Sequence, residues 1–210
     1  MIAAKAQRLR ALIGERVTQS WQTIPHFAVT REILADPLLR NCRTLRKIIP
    51  ELTLTDLMLH ALAKAAALDD AEFDIGLAVA SEYGVMMPSL ARASHLPLRD
   101  IVAARIAAVT RARAGRLGAD DIAAQPRTSL SNLGAFGVDQ FNGIVPIGQR
   151  SILTVGRVRE RGVVEGGRLV VRNTVFATLN VDHRVLDGAD AARMLLAFDG
   201  ACAADFTVEN

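Results

Sequence analysis

The stretch VDHRVLDGADAARML, residues 181–195, sets His183 between an aspartate and an arginine, with Asp187 and Gly188 four and five residues further on. The segment leading into it, TVFATLNV, alternates as a strand does, and the alanine-rich run from Gly188 to about Ala201 reads as a helix. His183 therefore stands at a strand end just before a helix, a place where rigid scaffolds commonly carry reactive side chains. Two readings compete. Either the stretch is a helix cap that happens to contain a histidine, or His183 is a general base held in one orientation by a nearby carboxylate or backbone carbonyl; Asp182 and Asp187 are both close enough in the chain to serve.

Upstream, SILTVGRV (151–158) and GRLVVRN (167–173) also read as strands, with EGGR (165–168) as a hairpin turn. Residues 129–143, SLSNLGAFGVDQFNG, hold too many glycines for an uninterrupted strand or helix and predict a shaped loop. Near the N-terminus, Leu9, Leu12, Ile13 and Val17 recur at helical spacing, so residues 3–21 form an amphipathic helix that ends before Pro25. HFAVTREI follows as a strand, and residues 36–47 as a short helix with Pro37 in its first turn. TLTDLMLHALAKAAAL (53–68) is a strongly patterned helix with Thr53 or Thr55 as its N-cap. FDIGLAVA and GVMMPSL are strand-length apolar runs joined by SEYG, which predicts a hairpin. LPLRDIVAARIAAVTRARAGRL (96–117) is a long amphipathic helix that Gly115 and Gly118 stop. Helices mixed with hairpins, without a βαβ rhythm, predict an α+β fold: a mixed, largely antiparallel sheet covered by helices, with residues 1–210 as one domain.

Composition narrows the partners. Half of the 210 residues are apolar, enough for a substantial core, yet no apolar run reaches the length of a membrane span. MIAAKAQRLRALIGER lacks the apolar block of a signal peptide, so a cytoplasmic location is expected. Cys42 and Cys202 form neither a metal cluster nor a disulfide framework. The net charge is only +3, and the arginines are spread among acids, which disfavours a nucleic-acid binder. Small basic clusters stand at Arg40, Arg43, Arg46 and Lys47, at Arg111, Arg113 and Arg116, and at Arg157, Arg159 and Arg161.

Of the other histidines, His60 lies in a helical pattern as a packed or helix-side residue, while His26 opens a strand and His95 sits in a loop, structural or surface placements. Metal binding is a weak rival for His183, since no histidine or cysteine stands at ligand spacing from it. The serine-hydrolase elbow G-x-S-x-G is absent, and the suggestive serines are those of TSLSNLG. Ser131 there precedes a glycine-containing turn, where its hydroxyl either donates to a developing oxyanion or merely caps its own turn.

Taken together, TSLSNLGAFGVDQFNGIVPIGQRSILTVGRV (128–158) and VDHRVLDGADAARML resemble, in order and spacing, the catalytic domain of the dihydrolipoamide acyltransferases of 2-oxo acid dehydrogenase complexes. The likeness extends to FDIGLAVASEYGVMMPSLARASHLPLRDI (73–101) and QTIPHFAVT (22–30), and so to nearly the whole chain. The resemblance implies a fold similar to chloramphenicol acetyltransferase, a homotrimer with active sites between subunits, and acetyl-CoA as acyl donor without a metal. It implies His183 as the general base and Ser131, reaching in from the neighbouring subunit, as the oxyanion stabiliser. Asp187 would hold the site's geometry, with Arg16 as its candidate partner.

The sequence also departs from the family pattern. The first catalytic-domain helix begins almost at Met1, which gives the expectation of a free-standing chain with no lipoyl or subunit-binding domain. LDDAE (68–72) is shorter than the family's usual segment, and VPIGQR (145–150) replaces an asparagine-proline-proline passage. These departures favour direct acetyl transfer to a hydroxyl of a small molecule, such as a tetronate-type intermediate of antibiotic biosynthesis. The alternative is the acyltransferase core of a 2-oxo acid dehydrogenase complex, acting on a lipoyl thiol, with trimers assembled into a larger cage.

Overall fold

A single long strand organises the molecule. In the computed structural model, which describes residues 2–67, 72–118, 121, 124 and 126–208, β9 runs unbroken from Arg168 to Asp182. Its outer half pairs with β8 (Arg159–Glu165) and its inner half with β1 (His26–Leu34) on one side and β7 (Ser151–Val155) on the other. Sequence reading divides this strand at Asn173–Thr174. The polar pair in fact marks the change of partner: Asn173 O accepts from Ala35 N–H at 2.8 Å, and its amide donates to Asp36 Oδ1 at 2.8 Å.

Beyond β7 the sheet continues through β6 (Thr128–Asn132), β2 (Ile75–Leu77) and β5 (Ser89–Leu90), giving the order β1-β9-β7-β6-β2-β5, with β8 on β9. β6 is parallel to both neighbours and the remaining pairs are antiparallel, so the sheet is mixed as expected. The expected loop over residues 129–143 is thus a strand for its first four residues. Buried hydroxyls there find partners inside the sheet: Thr128 Oγ1 lies 2.7 Å from Ser151 Oγ, and Ser129 donates to Gln149 Oε1 at 2.6 Å. The SEYG hairpin forms in two tiers. β2 and β5 belong to the main sheet, whereas β3 (Val79–Ser81) and β4 (Gly84–Met86) make a separate ladder. Pro88 has no N–H to donate, and its carbonyl alone receives Leu77 N–H at the junction.

Helices α3 (Leu54–Ala66) and α5 (Gly188–Ala203) enclose the core. Leu57, Met58, Leu59 and Leu62 from α3 and Met194, Leu195 and Phe198 from α5 are all buried in one cluster with Leu130, Leu153 and Leu179 of the sheet. Burial of each such side chain stabilises the fold by about 1.5–3 kcal/mol. α2 (Asp36–Leu45) and α4 (Leu98–Arg113) complete that layer with Leu38, Leu98 and Ile101. Thr53 is the N-cap of α3: its backbone N–H and hydroxyl both donate to Asp56 Oδ2 at 2.7 Å, and Arg105 secures the other side of that buried carboxylate. The opposite sheet face is crossed by the segment after β6, where Thr154 Oγ1 donates to Phe141 O and Val145 is buried with Ile24 and Ile152. α1 (Ile2–Thr23) is tied to that segment by Ser20 Oγ, which donates to Val145 O. Among the described residues no helix is long and apolar enough to cross a membrane.

Candidate active site

The turn that joins β9 to α5 carries His183. Four successive backbone N–H groups leave the strand and each finds an acceptor: His183 donates to Pro25 O, Arg184 to Asp182 Oδ1, and Val185 and Leu186 to Asp182 O, all at 2.9–3.0 Å. Three of the four thus end on Asp182, a residue only 3% exposed. Arg184 closes over the same carboxylate with a fork, Nε at 2.9 and 3.2 Å and Nη2 at 2.6 Å. These charge-assisted bonds hold the Asp182 carboxyl below the usual carboxylate range, against the opposing effect of burial.

His183 itself is exposed, and its ring meets the Phe27 ring edge-on, with centroids 5.1 Å apart. Its ring nitrogens make no hydrogen bond with the described residues. The expectation that Asp182 or Asp187 orients the imidazole by a direct bond is not met, because both carboxylates are committed elsewhere. Asp187 is the N-cap of α5: its Oδ1 accepts from Asp190 N–H at 2.8 Å, and Asp190 Oδ2 accepts from Asp187 N–H at 3.1 Å. The cap and the histidine therefore coexist in one stretch, four residues apart. Arg16, exposed on α1, makes no ion pair with Asp187 within the chain.

Ser131 occupies the fourth position of β6, half-buried, opposite Thr154 of β7, and its hydroxyl bonds to none of the described residues. Capping of the following turn falls to Asn132, whose Oδ1 accepts from Gly134 N–H at 2.8 Å. Gly134 permits a close chain crossing, since a Cβ there would come within 2.7 Å of Gly156 O. Sequence reading missed Asn132, although N-x-G is a turn signal.

Registers place the two residues relative to each other. Ser131 lies opposite Thr154, and Thr154 opposite Thr178 of β9, five residues before His183. At about 3.3 Å per residue along a strand and about 4.8 Å between strands, the two Cα atoms are separated by roughly 19 Å. One chain does not bring them together. A cavity of about 80 Å³ is lined by His60, Lys64 and Phe206, near the C-terminal end.

The remaining candidates have structural places. His26 bridges Ile24 O through Nδ1 (2.8 Å) and Val145 N–H through Nε2 (3.0 Å), an arrangement that suits the neutral Nδ1–H tautomer. His60 is buried in α3 with its ring 5.6 Å from that of Phe206, and His95 ends a 3₁₀ turn. Arg157, Arg159 and Arg161 converge on Asp139, and Arg111 binds Asp121. Burial pushes the thiols of Cys42 and Cys202 up, which keeps both protonated. Among the described residues no group of three or more histidine, cysteine or acidic side chains could hold a metal ion.

The 2-oxoacid dehydrogenases acyltransferase (catalytic domain) family matches residues 2–204. The chain belongs to this family. The dihydrolipoyllysine-residue acetyltransferase component of the pyruvate dehydrogenase complex of Zymomonas mobilis is 31% identical over 92% of this chain and 48% of that protein. The succinyltransferase component of the 2-oxoglutarate dehydrogenase complex of Cupriavidus necator is 32% identical over 92% of this chain and 51% of that protein. The chain thus spans about half the length of the curated relatives it matches. Among solved structures, the Azotobacter vinelandii dihydrolipoamide acetyltransferase superposes with a TM-score of 0.86, at 25% identity over 93% of this chain and 88% of that one. That enzyme was investigated for the role of a serine, a histidine and an asparagine in its catalytic mechanism, and the serine and histidine lie 52 residues apart, as Ser131 and His183 do here. Its asparagine stands four residues beyond the histidine, where this acyltransferase-family chain has Asp187. Chloramphenicol acetyltransferase shares the fold at 12% identity and a TM-score of 0.51.

These relatives overturn the expectation of a small-molecule hydroxyl acceptor and of a tetronate or antibiotic pathway, because the named relatives are dihydrolipoyllysine-residue acyltransferases. The teicoplanin X-domain, from antibiotic biosynthesis, shares the fold alone, at 14% identity and a TM-score of 0.54. One of the two sequence departures that prompted the expectation has a structural place. In VPIGQR, Val145 is buried and Gln149 supports β6 by accepting from Ser129. LDDAE lies outside the described residues except for Glu72.

Proposed function

We propose that residues 1–210 form the catalytic domain of a dihydrolipoyllysine-residue acyltransferase core, which moves an acetyl group between coenzyme A and a dihydrolipoyl thiol in a site shared by two subunits of a trimer. The separation of Ser131 from His183 carries this reading. Neither the His183 ring nitrogens nor the Ser131 hydroxyl bonds to any of the described residues, and a neighbouring copy supplies what each lacks. In the direction from acetyl-CoA, His183 takes the proton of the acceptor thiol, and the thiolate attacks the thioester carbonyl carbon. The Ser131 hydroxyl of the adjoining subunit donates to the oxyanion as the carbonyl bond opens. Collapse of the tetrahedral adduct breaks the carbon–sulfur bond to coenzyme A, and the imidazolium returns its proton to that sulfur. The acyl group passes directly from one sulfur to the other, with no acyl-enzyme. Asp187 serves by capping α5, which anchors the turn that carries His183. The relatives support acetyl as the group transferred, with succinyl as the competing acyl group.

The test is release of free coenzyme A from acetyl-CoA with dihydrolipoamide as acceptor, comparing the native protein with His183→Ala and Ser131→Ala. Release should vanish in the first and fall about 10²–10³-fold in kcat in the second, the usual cost of one oxyanion donor. Undiminished release by His183→Ala would refute the assignment of the base, and faster release from succinyl-CoA would change the acyl group.

A further inference from the structure

Ser131 is the last residue but one of β6, and a strand end holds a side chain in place only as firmly as the chain beyond it is held. We infer that Asn132 is a positioning residue for Ser131: it clamps the strand end to the start of α3 and so fixes where the oxyanion donor stands. The inference rests on the reading of Ser131 as that donor. Both halves of the Asn132 amide are committed. Its Oδ1 accepts from Gly134 N–H at 2.8 Å, and its Nδ2 donates to Thr55 Oγ1 at 3.2 Å. The first bond closes the turn, and the second ties that turn to a helix. Thr55 is the second residue of α3, whose cap is supplied by Thr53, so the Thr55 hydroxyl serves the sheet and not the helix end. That end of α3 is itself firm, because the buried Asp56 carboxylate takes Thr53 on one side and Arg105 on the other.

Successive side chains point to opposite faces of a strand. Asn132 reaches the helix layer at Thr55, while Ser131 shares the other face with its register partner Thr154, whose hydroxyl donates to Phe141 O of the crossing segment. The two side chains therefore act through the backbone between them. Asn132 lies opposite Val155, and Leu133 N–H donates to Val155 O at 3.1 Å as the chain leaves the sheet. It then passes close to the next strand's exit, where a Cβ at Gly134 would come within 2.7 Å of Gly156 O, so the turn has one narrow path and the Asn132 amide holds it there. A donor to a developing oxyanion works only within about 0.5 Å of its productive place, and a shift of about 1 Å can lower the rate about 10²-fold. A clamp on the residue next to Ser131 thus governs rate without touching the reacting atoms.

A double-mutant cycle read in kcat decides the matter, with coenzyme A release from acetyl-CoA and dihydrolipoamide as the assay. Asn132→Ala should lower kcat by about 10–10²-fold while changing KM for either substrate less than about twofold, since the donor acts only once the carbonyl opens. In the Ser131→Ala background the same substitution should change kcat less than about twofold, because the group it positions is already gone. Thr55→Val removes the acceptor of the second bond alone and should follow the same pattern more weakly; Thr55→Ser keeps the hydroxyl and should return the native rate. If Asn132→Ala fails to fold, the Thr55 variants in the two backgrounds complete the cycle. Equal losses with and without Ser131 would mark a general structural defect, and a native kcat in both Asn132→Ala and Thr55→Val would show the clamp to be idle; either overturns the inference. Native activity in Ser131→Ala would refute the oxyanion reading itself and the positioning role with it, whereas an impaired Ser131→Ala beside an unaffected Asn132→Ala overturns the positioning role alone.

Discussion

Mixing two inactive proteins should restore activity. Ser131→Ala keeps the base and lacks the oxyanion donor, whereas His183→Ala keeps the donor and lacks the base. The distance of roughly 19 Å between these residues in one chain, taken from strand spacing, is too long for both to touch one reacting carbonyl. In a cyclic trimer each interface takes the imidazole from one subunit and the hydroxyl from the next. If the two variants are unfolded together in equal amounts and refolded, each interface receives an intact His183 in one case out of two, and an intact Ser131 beside it in one case out of two. About a quarter of the sites should then be whole, giving about a quarter of the native rate of coenzyme A release per subunit, well above the 10²–10³-fold reduced rate of Ser131→Ala alone. Native mass spectrometry of the mixture shows that reassortment has occurred. A fully reassorted mixture with no more activity than the mean of its two parents would refute the shared site and place both residues in one chain's own chemistry.

Two further expectations follow from the carboxylates at the turn. Asp187→Ala should cost about 1 kcal/mol through loss of the α5 cap, lowering Tm by roughly 2–4 °C, whereas Asp187→Asn, an equally good cap, should melt close to native; calorimetry separates the two, and equal melting of all three would refute the cap. Because the Asp182 carboxyl is held below its ordinary value by Arg184, its contribution to stability is complete above the usual carboxylate pKa of about 3.9 and is lost as pH falls through the depressed folded value. Urea midpoints should therefore differ most between native and Asp182→Asn near neutrality and converge toward pH 3, and a constant gap across that range would contradict the pairing.

Much of this architecture can be read from residue pattern alone, for reasons that also explain the failures. α3 and α5 are legible because their apolar residues repeat at helical spacing and their starts carry side chains that cap. β6 is not, because Thr128, Ser129 and Ser131 are polar and glycines follow at once; its burial depends on partners at Ser151 and Gln149 that only the folded sheet supplies. β9 looked like two strands because a strand that exchanges neighbours carries polar residues at the exchange. The pairing of Ser131 with His183 was visible as a motif spacing, but their separation in one chain is a matter of register. The Arg184–Asp182 ion pair is not legible in the sequence, because residues two apart in the chain meet only when the turn folds one side chain over the other.

The continuity of β9 also distributes tolerance to insertion unequally along a single strand. Its outer end, next to the Gly166–Gly167 turn, is paired with β8 alone and shows Leu169 and Val171 to solvent, as β8 shows Val164. Extra residues at that turn would lengthen a two-stranded ribbon and leave the alignment of Thr174 through Asp182 with β1 and β7 intact. One extra residue within that inner span would invert every side chain after it, sending Leu179 or Val181 out of the core and Asp182 away from the turn it organises. The same strand is thus elastic in length at one end and indivisible at the other, and the histidine follows the indivisible end.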